Sequence, residues 1–150
     1  MRALIQRVTS GGVSADEGET RIGPGLVILL GIAPSDTLQD SDYLVEKMTN
    51  LRIFDDDEGK MNRSLLDIGG EALVISQFTL YADTSRGRRP GFNDAAPPET
   101  AEPLYDAFTE AIEQKGVAVK RGWFGAHMQV DIQNDGPVTI LLESPSREAS

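Results

Sequence analysis

The chain has 150 residues, a length that fits one domain able to bury about 70% of its unfolded surface without a disulfide or metal staple. A hydrophobic share of 39% with 15 glycines is that of a globular protein and excludes intrinsic disorder and collagen-like repetition. No cysteine, one histidine and a net charge of −10 exclude thiolate chemistry, Cys-based metal sites, any site with two His ligands and strong non-specific attraction to polyanions.

Ala3-Leu4-Ile5 with Val8 predicts a short opening strand. The unbroken apolar run 26–32 follows Gly23-Pro24-Gly25 and predicts a strand buried on both faces. The run is far short of the roughly 20 residues that span a bilayer. Gln6 and Arg7 interrupt the apolar start, so no secretory segment is read there, and a cytoplasmic protein without a membrane partner is expected. Leu44, Met48 and Leu51 recur at i, i+4 and i+7 behind Thr37 and Asp40, the spacing of a capping box, and predict a helix. Asp55-Asp56-Asp57-Glu58-Gly59 fails as a calcium loop, because counting from Asp55 puts Lys60 where the sharp turn needs glycine; an exposed acidic turn is expected. The run 72–78 predicts a second buried strand. Pro97-Pro98 opens a second helix with Leu104, Phe108 and Ile112 on one face, Lys115 in its last turn and a stop at Gly116. Met128, Val130 and Ile132 alternate with polar residues as in a half-buried strand, and 138–142 follows the turn Asn134-Asp135-Gly136-Pro137 as a hairpin or a sharply kinked pair. Residues 144–150 read as a loose tail. The expected class is mixed α/β, sheet-rich, with two main helices.

Four features can carry chemistry. His127 lies on the polar phase of its strand and is either a general base or a surface residue. Arg86, Arg88 and Arg89 crowd into 84–90 of an acidic chain, which suits a phosphate-contacting loop or a solvated one. Ser76-Gln77-Phe78-Thr79 closes an apolar strand with two hydroxyls, an amide and a ring, a set that can bind a nucleotide by hydrogen bonds and stacking, or simply cap a strand end. A Ser or Thr nucleophile needs a base, and His127 is the one imidazole available. Gly136-Pro137 reads as a turn, and such prolines are mostly trans.

Taken together, Ser76-Gln77-Phe78-Thr79-Leu80-Tyr81 and Asn134-Asp135-Gly136-Pro137-Val138-Thr139 resemble the two signature motifs of the D-aminoacyl-tRNA deacylase family. Residues 1–8, Leu51-Arg52-Ile53-Phe54, Gly59-Lys60-Met61-Asn62, Arg88-Arg89-Pro90 and Phe124-Gly125-Ala126-His127-Met128 are similar to that family in the same order, and the resemblance covers 1–143. The chain departs from the family in the shorter segment 11–20 and in Gly91, where a serine is common.

The resemblance implies a single sheet-rich, barrel-like α/β domain over 1–143 that forms a homodimer with active sites at the interface. It implies hydrolysis of the ester between a D-amino acid and the 3′-terminal adenosine of tRNA, with no cofactor, no metal and no DNA partner. Glycyl-tRNA mischarged on tRNA(Ala) is expected to be cut as well. Gly136 and Pro137 would form a cis pair that reaches into the partner subunit's site and rejects L-amino acids, with Arg7 bracing it. Ser76, Gln77, Phe78 and Thr79 would hold adenosine and ester, Phe124 and Met128 would line the pocket, and Arg86, Arg88 and Arg89 would contact tRNA phosphates. Backbone amides near Phe78 and Thr79 can stabilise an oxyanion while the tRNA 2′-OH positions water; the rival is Thr79 as nucleophile. A catalytically silent tRNA-end binder on the same scaffold and an unrelated small esterase are the competing readings.

Overall fold

The computed structural model describes residues 1–145. In chain order its elements are β1 (Arg2–Ala15), β2 (Gly18–Ile22), β3 (Gly25–Gly31), α1 (Leu38–Asn50), β4 (Phe54–Asp55), β5 (Met61–Arg63) and α2 (Leu65–Ile68). Then come β6 (Glu71–Ser76), a 3-10 turn (Phe78–Tyr81), α3 (Pro98–Gln114), β7 (Ala118–Arg121) and β8 (Gln129–Glu143).

The short opening strand is in fact 14 residues long. Polar Gln6, Arg7, Thr9 and Ser10 interrupt its apolar pattern, yet their backbone stays extended because β1 is paired on both edges. One edge runs antiparallel to β8; the other pairs antiparallel with β3 over Arg2 to Val8 and with β2 over Gly11 to Ala15. From β3 the sheet continues through β6 and β7, both parallel. β2 packs back against β6 and β7, so the sheet curls toward a barrel.

The apolar runs of β3 and β6 follow from burial on both faces. Leu26, Ile28 and Leu30 of β3, with Ala72 and Val74 of β6, face a core shared with Leu44, Met48, Phe108 and Ile112 of the two long helices. Val27, Leu73 and Ile75 point the other way, into a second cluster with Val8, Val13 and Ile22 inside the curl. Apart from Ala72, each of these side chains contributes roughly 1.5–3 kcal/mol on burial.

Helix α1 starts where expected, the Thr37 amide donating to the Asp40 carboxylate at 2.8 Å. Leu51 falls at its C-cap rather than on its face. α3 has Pro98 in its first turn and ends before Gly116, which takes the left-handed φ of +91°. Its Leu104 is only partly buried, whereas Tyr105 is buried and its hydroxyl donates to the Val74 carbonyl at 2.8 Å. The acidic run is the turn of the β4–β5 hairpin. There the Asp56 carboxylate accepts the Glu58 and Lys60 amides at 2.9 and 3.0 Å. The Lys60 contact is the main reason its pKa is lowered. Of the expected tail, the Ser144 amide is tied to the Met1 carbonyl at 2.9 Å; 146–150 lie outside the described residues. Among the described residues no helix is long and apolar enough to cross a membrane.

The paired glycines of β1 have distinct causes. Gly12 lies between Arg21 of β2 and Asp131 of β8, and with no side chain between them these two form an ion pair across β1 at 3.2 Å. A Cβ at Gly12 would meet the half-exposed side chain of Arg21, at 2.6 Å from Nη1 and 3.1 Å from Cγ; at Gly11 it would lie 2.6 Å from the buried Val27 Cγ2. Gly11→Val is therefore expected to destabilise the protein by about 1–3 kcal/mol. Gly12→Val, which disturbs one exposed pair, should stay within about 1 kcal/mol of the parent. Urea unfolding of the two variants checks the difference.

Candidate functional site

Parallel β3 and β6 end side by side, Leu30 opposite Ser76, and the Gln77 amide closes the pairing by donating to the Leu30 carbonyl at 2.8 Å. Beyond Gln77 the chain tightens into the 3-10 turn. Beyond the carboxyl ends of these strands lies a cavity of about 550 Å³ bordered by Ser76, Gln77 and Phe78. A crevice at the carboxyl ends of parallel strands is where open sheets commonly bind ligands. Leu30, Ile32 and Ile75 border it from the sheet, 95–98 and Ala101 from the start of α3, and Phe124 to Met128 from the segment before β8.

Several sequence-predicted residues meet there: Ser76, Gln77, Phe78, Phe124 and Met128 all border the cavity, and so does His127. Thr79 does not; it is exposed, and its hydroxyl oxygen accepts the Gln77 side-chain amide. Phe92 was missed. Its ring meets Phe78 edge-on at 5.0 Å, and the two remain 38% and 55% exposed. No periodicity marks Phe92. It reaches Phe78 because Asp83 and Gly91 pair by two backbone hydrogen bonds of 2.8 Å and fold the intervening loop back.

Arg86, Arg88 and Arg89 ride on that loop, exposed and without ion pairs among the described residues, and they do not border the cavity. The loop is held by the Asp83 carboxylate, which accepts the Ser85 hydroxyl and amide at 2.6 and 2.9 Å; the hydroxyl contact is the largest cause of its lowered pKa.

Gly136 and Pro137 are not beside the cavity of their own chain. Instead of a hairpin of two strands, β8 is one strand of 15 residues with an excursion. Val8 pairs with Asn134 and Gln6 with Thr139, so 135–138 loop out opposite Arg7 alone. The Gly136-Pro137 bond is cis, not the trans turn that the bare dipeptide suggests. Asn134 closes the loop, accepting the Val138 amide at 2.7 Å and donating to Thr139 Oγ1 at 3.0 Å. Arg7, only 8% exposed, holds it from below: Nε donates to the Asp135 carbonyl at 2.8 Å, and Nη1 donates to the Ile53 carbonyl at 2.9 Å and to Asp55 at 3.3 Å. Gly136 has φ +141°, and a Cβ there would lie 2.8 Å from Val138 Cγ2 and 3.1 Å from Arg7 Nη2. The turn residues that made a local signal in the sequence are thus fixed by an arginine 128 positions away.

The family model for D-Tyr-tRNA(Tyr) deacylase matches residues 4–143. The chain belongs to this family. Relatives named D-aminoacyl-tRNA deacylase include one from Roseiflexus castenholzii, 62% identical over 96% of this chain and 92% of the relative, and one from Clostridioides difficile, 55% identical over 96% and 97%. A solved structure named c-Myc DNA Unwinding Element Binding Protein is 44% identical, covers 97% of this chain and 100% of its own, and superposes with a TM-score of 0.90. A second, of a probable eukaryotic D-amino acid tRNA deacylase, shares the fold at 18% identity and a TM-score of 0.83, covering 95% and 98%. The barrel-like sheet with two main helices is thus the deacylase fold.

Behind the cavity wall of this deacylase-family fold, Phe124 packs on Tyr105 with ring centres 5.9 Å apart. Burial pushes the Tyr105 phenol from its ordinary 10.0 up to about 12. The folded state therefore keeps a proton that the unfolded chain releases. This stability is complete below about pH 10 and is lost as pH rises toward 12. Tyr105→Phe should flatten part of the alkaline decline of the urea midpoint. Tyr81, half-buried and also raised chiefly by burial, should keep the remainder.

Proposed function

We propose that the chain hydrolyses the ester joining a D-amino acid to the 3′-terminal adenosine of tRNA, as a cytoplasmic homodimer. The observation that carries this reading is the cavity at the ends of β3 and β6, bordered by Ser76, Gln77 and Phe78, in a chain of the deacylase family. The exposed Phe78–Phe92 pair offers a face on which a base can stack. The basic loop of Arg86, Arg88 and Arg89 would draw the phosphates of the acceptor end in the midst of a net charge of −10. That net charge opposes duplex DNA as a partner.

An aminoacyl ester is already activated, so the barrier to be lowered is modest. The amides of Phe78 and Thr79 are the first donors of a 3-10 turn and find no acceptor within it, which suits them to a developing oxyanion. The adenosine 2′-OH would position the attacking water, in keeping with a Thr79 hydroxyl whose hydrogen-bond partner among the described residues is the Gln77 amide and not a base. Thr79→Ala is then expected to retain deacylation within about threefold of the parent, whereas loss of a nucleophile would cost orders of magnitude.

Chiral selection would come from a second chain. The loop 135–138 projects from β8, whose outer edge pairs with nothing among the described residues and leaves Val130 and Leu141 exposed. Pairing of two such edges would carry each loop toward the partner's cavity. There, backbone held by Arg7 and Asn134 would occupy the space of an L side chain, a rejection by clash rather than by attraction. D-tyrosyl-tRNA and glycyl-tRNA should be cut, and L-tyrosyl-tRNA spared. Gly136→Ala, which must shift the loop, should lower the D-to-L ratio of kcat/KM at least tenfold or abolish turnover. A parent protein that binds tRNA and cuts none of the three esters would be a binding module instead. Cleavage of simple esters lacking a nucleotide would point to an ordinary esterase.

A further inference from the structure

Among the described residues His127 is the one ionisable residue that borders the 550 Å³ cavity. The other lining side chains, from β3, the 76–78 and 92–98 segments, α3 and β8, are apolar or neutral. His127 is exposed at the rim, and its imidazole has no hydrogen bond or ion pair among the described residues. The charged groups nearest along the chain are engaged elsewhere: Arg121 with Asp106 at 2.8 Å, and Asp131 with Arg21 at 3.2 Å. Behind the wall formed by Phe124 to Ala126, a second cavity carries Glu17, Glu102, Asp106 and Arg121. No acid on the cavity side competes for the ring.

A cavity of this volume holds one small molecule, not a polynucleotide. If it takes the aminoacylated adenosine, as proposed above, the rest of the strand must leave across the rim, and the first group to cross is the 5′-phosphate of that adenosine. We propose that the His127 imidazole binds this phosphodiester. The side chain is then a substrate-binding residue that measures whether the adenosine is attached to a polynucleotide. The inference rests on the functional reading above, but its first test needs no turnover.

The probe is adenosine 5′-(methyl phosphate), whose single negative charge is constant across the imidazole range, compared with adenosine. At pH 6 the parent protein should bind the phosphodiester about tenfold more tightly than the nucleoside, the scale of one charge-assisted hydrogen bond. His127→Ala should abolish the preference, and His127→Lys should retain it. In deacylation, His127→Ala should raise KM for D-tyrosyl-tRNA about tenfold at pH 6, with kcat held and KM for D-tyrosyl-adenosine unmoved. Equal binding of the two probes by the parent, or a preference that survives in His127→Ala, overturns the inference. A fall of kcat on both esters also overturns it, because that marks proton transfer rather than phosphate binding. A His127-dependent preference in a protein that cuts no ester would leave the phosphate contact standing and remove the enzyme reading; cleavage without the preference would do the reverse.

Discussion

Strand β1 is hydrogen-bonded along both edges, to β8 on one side and to β3 and then β2 on the other. Both halves of the candidate machinery hang from it. Through β3 it fixes the position of β6, and with it the strand end where Ser76 and Gln77 meet the cavity. Through β8 it fixes the excursion at 135–138, which exists because β8 has more residues than β1 can pair between Val8 and Gln6. Because β3 holds β1 in place, a slip of one residue in the β1–β8 register would turn Ile140 and Leu142 of β8 away from the core and move the loop off the Arg7 that supports it.

Arg7 shows how a buried cation is made tolerable. Its guanidinium is almost wholly removed from water, yet two backbone carbonyls and Asp55 accept its protons. A buried charge left without such partners would cost several kcal/mol. These contacts join three remote stretches: β1, the β4–β5 hairpin and the loop of β8. Asp55, which in the sequence belongs to an acidic surface turn, is thereby part of the support beneath Gly136 and Pro137.

The cavity itself is built on neutral terms. Strand ends and the 3-10 turn provide amides and an aromatic pair, α3 and the segment before β8 provide apolar walls, and charge is confined to the rim and the arginine loop. Such a site suits an ester that is reactive before it binds.

The sequence by itself determined the class, the two long helices, the doubly buried strands and most residues of the candidate site. These are local properties: period 3.6 in α1 and α3, continuous apolarity in β3 and β6, turn chemistry at 134–137, and motifs contiguous along the chain. The length of β1 was not legible, because its extended backbone depends on neighbours on both sides and not on its own side chains. Strands β4, β5 and β7 and the four-residue α2 were too short to show a period. Phe92 was invisible because its partner Phe78 lies across a folded loop. The tertiary structure alone decided that His127 borders the cavity and Thr79 does not. Sequence periodicity assigns a face to a residue; only the packing of distant segments decides what that face meets.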